Sequence, residues 1–145
     1  MSSANLTPTP RGIRNHNPGN IDFSSKIVWD GQVDHMRRTD ERFVEFVEPI
    51  YGLRAIGKIL RTYQRSDGCR TIRDYIHRWA PRCENNTDAY VQAVAASLHM
   101  GAGDVPDITS PQVMAAFIHS IVVHENGYDP YPQDLLTAAV KLALA

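Results

Sequence analysis

The chain is 145 residues long, with 43% apolar residues, 21% charged residues and a formal net charge of −1. That length suits one domain able to bury a real core, and that composition is ordinary for a globular protein. A nearly neutral balance gives no electrostatic case for nucleic acid or an anionic membrane surface as partner, and no apolar run is long enough to span a bilayer.

Residues 1–10, MSSANLTPTP, are polar rather than signal-like, and read as a disordered leader before a single domain over 11–145. The chain is therefore expected to be made in the cytoplasm and to need another route to any target outside it. RGIRNHNPGNI (Arg11–Ile21) follows, dense in Asn and broken by Pro18-Gly19. Asn side chains bond nearby backbone and Gly permits positive φ, so this is a structured turn. Asn15, Asn17 and Asn20 also offer donors and acceptors suited to the hydroxyls and N-acetyl groups of a sugar.

Residues 21–47 have strand character. Ile27-Val28-Trp29 and Arg42–Val47 carry β-forming residues, and Asp30-Gly31 and Thr39–Glu41 are turn material. Trp29 suits the core of a small sheet, and Glu45, alternating with Val44 and Phe46, points to solvent. From Pro49 the pattern turns helical. Gly52, Ile56, Ile59, Leu60 and Tyr63 share one face of a helix ending near Asp67-Gly68. Thr71 caps a second helix with Ile72, Tyr75, Ile76 and Trp79 inward, and Asn86 or Thr87 caps a third with Tyr90, Val91, Val94, Ala95 and Leu98 inward. Asp134 starts a last amphipathic helix, Leu135–Leu144. Cations cluster at Arg37-Arg38 and along Arg54, Lys58, Arg61 and Arg65; the second set reads as the solvated face of a helix. Cys69 and Cys83 are either two buried thiols or one disulfide, and with His77 they make a poor zinc signature.

The remaining helix organises the rest. Ser110 caps it, Pro111 suits its first position, and Met114, Phe117, Ile118, Ile121 and Val122 form its apolar stripe. Glu125 extends that stripe and Asn126-Gly127 ends the helix. Burial disfavours the charged form of a carboxyl, and a group so placed suits general-acid work. The alternative is a glutamate that clears the core edge into water. No GxSxG, P-loop, GxGxxG or HExxH occurs. What remains is carboxylate chemistry surrounded by amides, the inventory of a glycoside-cleaving site. Glu125 is the candidate acid, with Asp22, Asp30 and Asp34 the nearest candidates for a second carboxylate.

Six segments carry a resemblance: RGIRNHNPGNI, RFVEF (Arg42–Phe46), YGLRA (Tyr51–Ala55), TIRDYIHRWAP (Thr71–Pro81), ENNTDAYVQAV (Glu84–Val94) and HENGYDPY (His124–Tyr131). Together they resemble a family encoded by tailed phages and prophages, described as endolysins, lysozyme-like muramidases or virion proteins. HENGYDP is also similar to the segment that carries the catalytic glutamate of soluble lytic transglycosylases and goose-type lysozymes, although there the glutamate helix comes early and here it comes late. The resemblance implies a lysozyme-like α+β fold, mostly helical with a small antiparallel sheet near the N-terminus. It implies a monomeric muramidase or lytic transglycosylase that cuts peptidoglycan between N-acetylmuramic acid and N-acetylglucosamine. The protein would act in the periplasm or cell wall after holin-type release, or from the virion. On this reading Glu125 is catalytic, Asn15, Asn17, Asn20, Tyr90 and Tyr128 line the sugar subsites, and no metal or organic cofactor is needed. The rival expectation is a non-catalytic virion or cell-wall-binding protein; a stem-peptide peptidase and a chitinase are further alternatives.

Overall fold

A computed structural model describes residues 8–80 and 86–145. Most of the expected leader, and Cys83, lie outside the described residues. Among those described there are six helices: α1 (Arg11–Arg14), α2 (Pro49–Ser66), α3 (Ile72–Trp79), α4 (Thr87–Ser97), α5 (Pro111–Asn126) and α6 (Gln133–Leu144).

Helix α5 forms the centre. Its sequence stripe is fully buried at Met114, Phe117, Ile118, Ile121 and Val122, and each such side chain contributes about 2 kcal/mol of transfer free energy. The ends follow local chemistry. The Ser110 hydroxyl accepts from the Val113 N–H, Pro111 sits in the first turn, and Gly127 closes the helix at φ 87°, a left-handed conformation that favours glycine. Beyond it, His119 Nδ1 lies 2.6 Å from Asp129 Oδ2, and Asp129 Oδ1 accepts from the Tyr131 N–H, pinning the following loop back onto the helix. Helices α4 and α6 pack against α5, and α2 packs along α6. Helix α3 starts with a capping box between Thr71 and Asp74. Cys69 is buried beside it, and burial together with the Asp74 and Asp67 carboxylates pushes its thiol pKa up.

The expected N-terminal sheet does not form. Among the described residues there is no strand, only the isolated antiparallel bridges Asp22–Phe43 and Gln32–Phe46. The reason lies in where the backbone groups go. Asn17 is wholly buried; its Nδ2 donates to the carbonyls of Ile21 (3.0 Å) and Val44 (2.8 Å), while its Oδ1 accepts from the Ile21 N–H (3.0 Å). The Phe46 N–H goes to the Asn15 carbonyl and the Val33 N–H to the Glu45 carbonyl. A side chain thus takes positions that a ladder would fill, and tight turns at 24–27, 29–32 and 34–38 interrupt the rest. The segment is a looped lobe over a second small core of Val44, Phe46 and Ala55, with Trp29 half-buried against it. Glu45 is half-buried rather than free in solvent. Its Oε1 accepts from the Thr39 N–H, the Thr39 hydroxyl and the Asp40 N–H.

Helix α1, absent from the sequence reading, is anchored to this lobe through Asp40. Arg11 Nε and Nη2 donate to the two oxygens of Asp40 at 2.6 and 2.8 Å, and Asn15 Nδ2 adds a bond of 2.9 Å. The Arg11 guanidinium holds the Asp40 carboxyl far below the usual carboxylate range, outweighing the opposing effect of burial. The N–H groups of Phe43 and Arg42 and the Asn15 amide act in the same direction.

Two outcomes follow. Asn17→Ala leaves the Val44 carbonyl and the Ile21 N–H without their partner, while the Ile21 carbonyl keeps the Val44 N–H, and should destabilise the fold by about 1–3 kcal/mol in urea titrations. Asp40 has a depressed folded-state pKa, so its contribution is present above the unfolded value and is lost as pH falls. Asp40→Asn should therefore be less stable than wild type at neutral pH, with the deficit shrinking below about pH 4. A deficit independent of pH would contradict this.

Candidate functional site

Glu125 occupies the last turn of α5, where the buried Ile121 and Val122 fix the direction of the helix face. It is half-buried. Its Oε1 accepts from Asn20 Nδ2 at 3.2 Å and its Oε2 from the Tyr90 hydroxyl at 3.1 Å. A carboxylate offers about four lone-pair positions, so two acceptor positions remain.

Both donors are themselves held. Tyr90 is buried on α4, and its ring stacks on His124 with centroids 3.6 Å apart and planes at 22°. Asn20 sits at φ 50°, a left-handed conformation that Asn tolerates, at the end of the Asn-rich turn. That turn docks on α5 through Asn126, whose Nδ2 donates to the Pro18 carbonyl (2.8 Å) and the Val122 carbonyl (3.0 Å). Gly12 makes the docking possible: a Cβ there would lie 2.6 Å from Asn126 Oδ1 and 2.8 Å from Asn20 Oδ1.

Glu125 opens into a cavity of about 550 Å³. Phe43, Ile59, Tyr63 and Trp79 form apolar walls, while Asn20, Asp22, Arg42 and Arg78 supply polar ones. Arg42 Nε pairs with Asp22 Oδ1 at 2.9 Å and its guanidinium lies over the Phe43 ring at 4.7 Å. Arg78 Nε pairs with Asp67 Oδ2 at 3.0 Å and covers the Tyr63 ring at 5.4 Å. Aromatic walls around a few fixed polar groups are the make-up of a ligand-binding cleft. Among the described residues no cluster of His, Cys, Asp and Glu is arranged to hold a metal ion.

The residues expected from the sequence separate into distinct roles. Asn20 lines the cavity beside Glu125. Asn15 and Asn17 do not line it: the first serves Asp40 and the second the lobe backbone. Tyr90 reaches Glu125 from the core, behind the cavity wall, and Tyr128 is exposed on the loop past α5 and outside the lining. Of the three candidate second carboxylates, Asp22 lines the cavity. Asp30 lies 3.2 Å from Arg54 Nη2, and Asp34 closes a turn by accepting from the Met36 N–H. Trp79, Tyr63, Arg42 and Arg78 were not expected at the site. Their signal is position: Trp79 and Tyr63 end the inner faces of α3 and α2, next to loops.

These features define a helical protein with a hydrogen-bonded carboxyl, Glu125, held at the rim of its core and facing an aromatic-walled cleft. No family model matches the chain. It is similar to Protein P5 of Pseudoalteromonas phage PM2, with 37% identity over 137 residues, 92% of this chain and 82% of that protein. The chain belongs to the same family as that phage protein. Among the described residues no helix is long and apolar enough to cross a membrane.

Gly12→Ala should force the Asn-rich turn off α5. The expected result is a loss of about 1–3 kcal/mol in thermal or denaturant unfolding, and an unchanged midpoint would contradict the close approach.

Proposed function

We propose that the protein cleaves the β-1,4-linked glycan strand of peptidoglycan between N-acetylmuramic acid and N-acetylglucosamine, with Glu125 as the acid. The observation that carries this is the arrangement of Glu125: a carboxyl on an apolar helix end, clamped by Asn20 and Tyr90, and open to a cavity walled by Trp79, Tyr63 and Phe43. Trp79 provides a face against which a pyranose ring can stack, and Asn20 can meet an N-acetyl group. Family membership with a phage protein is in keeping with a role in lysis or entry.

The reaction follows from the carboxylates present. Asp22, the other carboxylate of the lining, is exposed and paired with Arg42, so Glu125 is the one without a basic partner. A one-carboxylate route then fits best. Glu125 gives its proton to the bridging oxygen as the C1–O bond breaks. The resulting carboxylate takes the proton of the muramyl C6 hydroxyl as that oxygen bonds to C1, and the acid is restored. The product is an anhydro sugar. Release of a reducing end would instead assign water activation, with Asp22 as the group to test.

Glu125→Gln should lower the rate of sacculus solubilisation by about a hundredfold or more. Trp79→Ala should raise KM for soluble glycan more than it lowers kcat, as expected for a residue that binds the ground state and transition state alike. Solubilisation unaffected by Glu125→Gln would overturn the assignment. Binding to sacculi without solubilisation by wild type would favour a non-catalytic wall-binding protein.

A further inference from the structure

The cations along α2 do not simply face solvent. Lys58, Arg61 and Arg65 border a cavity of about 230 Å³, closed by Thr62, Ser66 and the end of α6 from Ala143 to Ala145. They stand on the opposite side of α2 from Ile59 and Tyr63, which line the Glu125 cavity. The two helices come close because of Gly57, where a Cβ would fall 2.7 Å from the Ala143 Cβ.

No acidic side chain lines this cavity. Among the described residues none of the ion pairs involves Lys58, Arg61 or Arg65. The Thr62 hydroxyl donates to the Lys58 carbonyl at 3.0 Å, which leaves its oxygen able to accept. Three like charges gathered at one space repel one another. That repulsion is relieved by a ligand that carries more than one negative charge and several acceptor oxygens. A phosphoryl group has that chemistry, and guanidinium forks match it in geometry.

We propose that the α2–α6 cavity binds a phosphoryl group through Lys58, Arg61 and Arg65. The site is independent of the glycan-cleaving reading, and stands if that reading fails. Two sources carry the group, a soluble phosphate or phosphomonoester and the headgroup of an anionic phospholipid.

The test is calorimetric titration with inorganic phosphate at constant ionic strength, alongside co-sedimentation with phosphatidic acid vesicles and phosphatidylcholine controls. Saturable binding of phosphate assigns a soluble ligand, and binding to phosphatidic acid vesicles alone assigns a headgroup; either supports the site. Arg61→Gln and Lys58→Gln should each weaken that binding by about tenfold. Arg70→Gln, which removes an exposed cation outside the cavity, should leave it unchanged. If Arg61→Gln fails to fold, the exposed Arg65→Gln gives the same reading. No saturable binding in either assay, or an equal loss in Arg70→Gln, overturns the proposal.

Discussion

The structure depends on one seam, where the Asn-rich turn after α1 meets the C-terminal end of α5. Asn126 reaches from the helix to the Pro18 carbonyl, and Asn20 reaches from the turn to Glu125. Residues more than a hundred positions apart in the chain are thereby brought to one point. The seam does two things together. It gives the end of α5 a polar partner in place of water, and it aims the Glu125 carboxyl into the cleft. Gly12 supplies the space, because any side chain there would meet both amides. The Arg11–Asp40–Asn15 cluster supplies rigidity by tying α1 to the looped lobe.

Around that seam, the apolar core has a positional role. Helix α5 is buried along most of its length, so the axis that carries Glu125 cannot tilt without opening the centre of the protein. Tyr90 belongs to the same core, and its hydroxyl is the one polar atom it extends to the site. A core tyrosine that holds the Glu125 carboxyl ties the packing of α4 to the geometry of the cleft. Loss of core order at α4 would release one of the two donors on Glu125.

Much of the helical part was legible in the sequence because its ends carry chemical signals. Ser110-Pro111 and Asn126-Gly127 mark α5, and Thr71 with Asp74 marks α3. The lobe was not legible, and the reason is specific. Arg42–Val47 alternates like a strand and shares single backbone bonds with Ile21, Phe23, Gly31 and Val33, yet the Val44 carbonyl goes to the Asn17 side chain and the Phe46 N–H to the Asn15 carbonyl. Period-two patterning reports which residues are inward, and Val44 and Phe46 are indeed buried. It does not report whether a neighbouring backbone or a buried amide satisfies the peptide groups. The same substitution of roles explains the Asn residues. Three similar side chains in one turn serve an ion-pair cluster, a lobe backbone and the cleft, and nothing in their type distinguishes them. Glu125 was legible because a carboxylate on an apolar helix stripe is an exception to patterning. Trp79 and Tyr63 were not, since a core aromatic and a cleft aromatic look alike until the loops beside them are placed.

The central claim is that Glu125 performs acid chemistry on a glycan bound in the cleft. Mass spectrometry of the products from purified peptidoglycan, treated with wild type and Glu125→Gln in parallel, tests it most directly. The account predicts anhydro-muramyl fragments, cut between N-acetylmuramic acid and N-acetylglucosamine, from the wild type alone. The same fragments from both proteins, or none from the wild type, would contradict it.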